Sequence, residues 1–186
     1  MGDAALRLAR YEDLFDLPDN VVGEIIAGTL YSQARPAPKH VRASSRLGAE
    51  LDASYDKGRN GPGGWWILDE PELHLGRHVL VPDLAGWRRE RLPKLPETAW
   101  FELAPDWVAE VLSPVTVRKD RVLKMPLYAE FGVGHCWLID PDARTLESFA
   151  NENGRWVLLG AWGGEDTAAI PPFDALPFEL AGLWVD

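Results

Sequence analysis

The sequence has a single cysteine, no long apolar run, no internal repeat, and only 19 Lys and Arg residues against 29 Asp and Glu. One cysteine excludes a disulfide framework, and Cys136 sits in the apolar run Cys136-Trp137-Leu138-Ile139, where a small buried side chain is the natural reading. A reducing, cytoplasmic setting fits. No segment approaches the roughly 18 apolar residues that cross a bilayer, and the first ten residues hold no long apolar stretch, so neither membrane insertion nor secretion is expected. The formal charge of -10 argues against indiscriminate binding to a polyphosphate. No Gly-rich phosphate loop follows an apolar strand, so no nucleotide cofactor is expected. His74 and His78 have the spacing of a helical metal pair, but Gly76 between them reads as a strand turn, and zinc needs three or four converging ligands.

What is present is the composition of an ordinary globular chain, with 46% hydrophobic and 26% charged residues. A chain of this length buries roughly 70% of its unfolded surface and needs no staple. The nine Trp are assigned to strand and core packing rather than base stacking. Tyr11 to Asp16 reads as a short helix, and residues 21–31 as two strands turning at Gly28. Helical spacing from Pro38 to Tyr55 ends at the Gly58 to Gly64 break. Strands are expected at Trp65 to Asp69, Glu72 to Leu75 and His78 to Trp87, followed by a proline-bearing loop from Arg91 to Pro105. Trp107 to Leu112 is apolar enough for a central strand. A helix from about Thr116 to Phe131 leads to strands at Cys136 to Asp140, Thr145 to Phe149 and Trp156 to Leu159, then to a tail rich in Pro, Gly and Trp. This order predicts one α/β or α+β domain over residues 1–186, a mixed sheet flanked by helices, with its core at about residues 20–160.

Two acids stand in apolar surroundings. Asp83 follows Val81-Pro82 at the end of a strand, and Glu110 lies inside another, where an unpaired carboxylate costs several kcal/mol. A hard divalent cation such as Mg²⁺ compensates such a pair, because it takes oxygen ligands and needs only one or two protein carboxylates. The alternative is that Glu110 pairs with an internal base and Asp83 caps a turn. On the following helix Asp120, Lys124 and Tyr128 share one stripe, beside an apolar stripe of Leu123, Leu127 and Phe131. Lys124 on that stripe can reach back toward the carboxylates, to orient a water or neutralise a phosphoryl transition state. An exposed i,i+4 pair with Asp120 is the plainer account, and Pro126 threatens a kink beside it. Basic residues are bunched at Arg35, Lys39, Arg42 and Arg46, at Arg88, Arg89, Arg91 and Lys94, and at Arg118, Lys119, Arg121 and Lys124. These are either solvated faces or the walls of a local groove.

The runs Val81-Pro82-Asp83-Leu84, Pro105-Asp106-Trp107-Val108-Ala109-Glu110-Val111-Leu112-Ser113-Pro114, Arg118-Lys119-Asp120 with Lys124 and Tyr128, and Trp137-Leu138-Ile139-Asp140-Pro141 closely resemble the Uma2 family. That family looks like a branch of the PD-(D/E)xK nucleases. The resemblance implies a restriction-endonuclease-like core with Asp83 and Glu110 as ligands of Mg²⁺ or Mn²⁺. The superfamily's usual lysine would fall at Leu112; the resemblance implies that Lys124, on the next helix, stands in for it. It also adds Glu24 and His40 to the site; the alternative, from the residues alone, is that Glu24 is an exposed strand acid and His40 a helix N-terminal residue. The implied activity is metal-dependent hydrolysis of DNA phosphodiester bonds, with a non-catalytic nucleic-acid-binding or assembly protein as the alternative. DNA is the expected partner, though no residue separates it from RNA, and a homodimer suits cleavage of both strands.

Overall fold

The computed structural model describes residues 7–185. A 3₁₀ turn (Tyr11–Asp16) leads into the hairpin of β1 (Val21–Ile26) and β2 (Thr29–Ala34), whose register runs from Val21↔Ala34 to Ile26↔Thr29. Its two turn residues, Ala27 and Gly28, both have positive φ, the backbone a tight hairpin needs. Helix α1 (Pro38–Leu51) starts with Pro38 at its first position, where no N–H is needed, and buries His40, Ala43, Leu47, Gly48 and Leu51. A wide π-helical turn (Asp52–Asp56) carries the helix to Tyr55, near the predicted end.

The strands that follow are β3 (Trp65–Asp69), β4 (Glu72–Leu75), β5 (His78–Leu80), β6 (Leu84–Arg88), β7 (Trp100–Phe101) and β8 (Trp107–Val111). The single strand expected over His78 to Trp87 is two. Pro82 cannot donate to a ladder, and the chain leaves a five-stranded sheet ordered β2-β1-β5-β4-β7 at Leu80. It re-enters at Leu84 in a six-stranded sheet ordered β11-β10-β9-β8-β6-β3. Asp83 therefore sits at the crossover between the sheets. The loop after Arg91 also contributes β7, which pairs parallel with β4.

The predicted helix near residues 116–131 is continuous but not regular. It begins as α2 (Val117–Lys119), widens into a π turn (Asp120–Lys124) and finishes as α3 (Met125–Glu130). Met125 donates to the Asp120 carbonyl, five residues back. The widened turn lies just ahead of Pro126, where a regular helix would lose a donor and meet the proline ring. No break is needed. This helix is the crossover between β8 and β9 (His135–Asp140), which run parallel from Trp107↔His135 to Val111↔Ile139. β10 (Thr145–Glu152) and β11 (Arg155–Gly163) complete the sheet as an antiparallel meander.

Period-2 alternation along β8 divides the interior. Trp107, Ala109 and Val111 join α1, Trp137 and Ile139 on one face, while Val108 and Leu112 join Tyr128, Met125, Cys136 and Leu138 on the other. Glu110 has the parity of the second face, so it points at the crossover helix. The core also extends past the expected limit near residue 160. The tail folds as the ribbon β12 (Thr167–Ile170) and β13 (Phe173–Glu179) with a 3₁₀ turn (Leu180–Leu183), and its Ile170, Phe173, Leu180, Leu183 and Trp184 pack into the first cluster. Aromatic tail residues scattered among Gly and Pro give no periodicity, so no strand pattern marks them in the sequence. Cys136 is fully buried and burial pushes its thiol pKa well up, so it is a packing residue. Among the described residues no helix is long and apolar enough to cross a membrane.

Candidate active site

Asp83, Glu110, Lys124, Glu24 and His40 come from four elements and the link between β5 and β6, and the fold brings all five into one buried cluster. Lys124 is the hub. Its Nζ lies 2.7 Å from Glu110 Oε1, 2.9 Å from Glu24 Oε1 and 2.9 Å from the Val81 carbonyl. Only 2% of the side chain is exposed, and three contacts use all three protons of an ammonium. The exposed pair with Asp120 is thereby excluded, since both residues are buried. Burial disfavours the charged amine, but Glu110, Glu24 and Asp120 outweigh it and raise the Lys124 pKa above its ordinary value.

Glu110 Oε1 also accepts a 2.6 Å hydrogen bond from the Tyr128 hydroxyl, while its Oε2 takes part in neither contact. Burial drives its pKa well up; Lys124 opposes this, and Asp120, Asp83 and Glu24 add to it. Glu24 faces the same burial but is held below its ordinary value by Lys124 and Lys119. Its Oε1 accepts from the Val81 amide at 2.9 Å, and its Oε2 pairs with Lys119, which also donates to Gln33 at 2.7 Å. Asp83 Oδ2 accepts from the Val111 amide at 2.7 Å, tying the sheet crossover to the end of β8. Its Oδ1 lies 3.2 Å from His40 Nε2. Burial pulls the His40 pKa down, yet the hydrogen bond and charge of Asp83, with Asp120 behind it, leave it raised. His40, in the first turn of α1, thus braces Asp83.

Three participants were not named as site residues from sequence. Asp120 and Tyr128 were on the lysine stripe, so their spacing was the available signal. Lys119 was visible only as one base in a cluster. It and Gln33 meet because β2 passes beside α2, a long-range contact that no local pattern encodes. The cluster holds four carboxylates, Glu24, Asp83, Glu110 and Asp120, against two lysines. Burial, only partly opposed by Lys124, leaves Asp120 with a raised pKa as well. That surplus of carboxylates, with its hard oxygen donors, fits a divalent cation. Among the described residues, no three acidic, His or Cys side chains are already gathered in a metal-ready arrangement. The protonated neighbours, Lys124 and Tyr128, now occupy Glu110 Oε1.

A cleft of about 180 Å³ opens beside Asp83 and His40, walled by Pro36, Ser44, Asp69 and Glu70. Arg35 and Arg42 are exposed, while Lys39 is paired with Asp142 at 2.8 Å. The Arg88 to Lys94 bunch is structural in its first three members. Arg88 lies over Trp65, Arg89 over Trp66 and against Asp56, and Arg91 against Asp106. His74 contacts Glu72 and stacks on Trp100, and His78 Nδ1 accepts from the Ala27 amide, so the two histidines have separate duties.

The family model described as "Putative restriction endonuclease", Uma2, matches residues 9–182. The chain belongs to the Uma2 family. Among solved structures it is similar to the crystal structure of a putative nuclease belonging to DUF820 from Anabaena variabilis, with a TM-score of 0.73 and 22% identity, covering 92% of this chain and 95% of that one. At that identity the likeness bears on the fold, which is that of a restriction-endonuclease-like α+β domain. No curated protein matches the chain. Uma2 membership gives this domain a nuclease-like function.

Proposed function

We propose that this Uma2 domain is a metal-dependent endonuclease that hydrolyses DNA phosphodiester bonds. One observation carries the reading: Glu110 on β8 and Glu24 on β1 meet on a fully buried lysine, while Asp83, in the link between the sheets, is tied to the end of β8 and lines a cleft. In this account Asp83 and Glu110 hold Mg²⁺ or Mn²⁺. When bound, the ion would acidify a water and screen charge on the scissile phosphate.

The chain's own residues do the rest. Glu24 and the Val81 carbonyl fix Lys124 in place, and Lys119 keeps Glu24 ionised. Release of the Glu110 contact would free one Lys124 N–H to donate to the attacking water or a phosphate oxygen. Tyr128 holds the Glu110 carboxylate in one rotamer, and His40 does the same for Asp83. With the net charge at -10, duplex is held by local basic groups and not by a general basic surface.

The test is nicking of supercoiled plasmid with Mg²⁺, with EDTA, and with Lys124→Ala. The reading expects metal-dependent nicking that the variant loses while still retarding DNA in a gel. Equal behaviour of variant and wild type would remove Lys124 from the chemistry and favour a binding protein on the same scaffold. An RNA substrate in the same assay decides the sugar.

A further inference from the structure

A cleft of about 230 Å³ lies between β2 and the start of the crossover helix. Its polar lining is Tyr31, Ser32, Gln33, Thr116, Arg118 and Lys119, and none of the residues around it is acidic. In a chain with a net charge of -10 that sets it apart: four other clefts each carry two or three acids, with Asp69, Glu70 and Asp83 in the one beside His40.

Its two cations keep donors to offer. Arg118 is exposed, and among the described residues it makes no ion pair or hydrogen bond, whereas Arg121, one turn along the helix, pairs with Glu147. Lys119 is 12% exposed and gives two of its three protons to Glu24 and, at 2.7 Å, to Gln33. The third has no partner among the described residues. Glu24 adds no open negative charge, since it is 1% exposed and shared by Lys119 and Lys124. Guanidinium and ammonium donors with no competing carboxylate are what phosphate oxygens require.

We propose that this cleft seats a backbone phosphate of the DNA substrate, held by Arg118 and by the remaining N–H of Lys119. A phosphate there stands one side chain from Glu24 and two from Lys124. The cleft shares no residue with the one beside Asp83 and His40, so the substrate strand gains a second hold next to the buried cluster. The identity of the ligand rests on the nuclease reading, while the site uses none of its metal chemistry.

Fluorescence anisotropy of a labelled duplex oligonucleotide with EDTA or Ca²⁺, over a series of salt concentrations, tests it, with circular dichroism as the folding control. Arg118→Ala is expected to weaken binding several-fold and to lower the slope of log affinity against log salt by about one, the share of one phosphate contact. Arg118→Lys keeps the charge and should keep the slope. Gln33→Glu, which puts a carboxylate in the cleft, should weaken binding as Arg118→Ala does, and Arg121→Ala should bind as wild type. An Arg118→Ala protein with wild-type affinity and slope, or a wild type that binds no duplex, overturns the proposal. Plasmid nicking by the same proteins separates it from the nuclease reading. Metal-dependent nicking with binding indifferent to Arg118 sinks the site alone; Arg118-dependent binding without nicking keeps the site and removes the catalytic reading.

Discussion

Replacing Lys124 with methionine keeps most of the stem volume and removes the charge, leaving Glu24 and Glu110 facing each other through Glu24 Oε1 and Glu110 Oε1 with their common partner gone. Breaking a buried pair from one side costs on the order of 3–5 kcal/mol. Two features decide where in that range this site falls. Lys119 still neutralises Glu24, and the raised pKa of Glu110 lets that carboxyl take up a proton more easily than an ordinary one. Both lower the cost, so about 3 kcal/mol is expected. For a chain of this size each kcal/mol moves Tm by roughly 2–4 °C, giving a drop near 10 °C. Differential scanning fluorimetry in EDTA reads this directly. The same variant should regain more Tm on adding Mn²⁺ than wild type does, because a cation then neutralises the stranded carboxylates. A Lys124→Met protein that melts with wild type, or that gains no more from Mn²⁺ than wild type, refutes the reasoning.

Tyr128→Phe removes the 2.6 Å bond to Glu110 from a fully buried position. A loss of roughly 1–3 kcal/mol in urea unfolding is expected; no change would mean the hydroxyl does not hold Glu110. Burial first, and then Arg77, lower the pKa of His78 below its ordinary value, so the folded state keeps it neutral while the unfolded chain binds a proton. Its contribution is therefore complete above pH about 6.5, the unfolded value, and is lost as pH falls from there through the folded value. His78→Asn, which retains an acceptor for the Ala27 amide, should flatten that acid-side decline, and an identical pH profile would refute it. At Gly86 in β6, an added Cβ would meet Ile67 and Trp65 at 3.2 Å and Trp107 at 3.3 Å. Gly86→Val should destabilise by about 1–3 kcal/mol through overpacking, as read by Tm, and a neutral result would show that the Trp cluster yields.

The sequence carried the fold where a residue's neighbours in the chain are also its structural context. Hairpin β1–β2, α1, β8 and the crossover helix are set by alternation, proline and glycine positions, and helical spacing. It carried the chemistry where acids sit among apolar residues, because burial of Glu110 follows from the strand around it. It failed where the answer depends on long-range meeting. Nothing local says that residues 78–88 change sheets, although Pro82 in the middle of the run marks where a ladder must break. Nothing local pairs Lys119 with Glu24 across 95 residues. The π turn at Asp120 was legible in part, since Pro126 demanded some accommodation, but its form as a widened turn and not a kink depends on how Lys124 and Tyr128 both engage Glu110. The tail's role in the core was hidden because Phe173, Leu180 and Trp184 are contributed singly from turns.

The account rests on Asp83 and Glu110 sharing a cation, and isothermal titration of Mn²⁺ into wild type and into the Asp83→Asn, Glu110→Gln double variant tests that most directly. The substitutions are nearly isosteric, so circular dichroism should report the same fold in both. One site per chain in wild type, absent from the double variant, is the predicted result. Equal binding by both proteins, or none by wild type in the presence or absence of a duplex oligonucleotide, would contradict it.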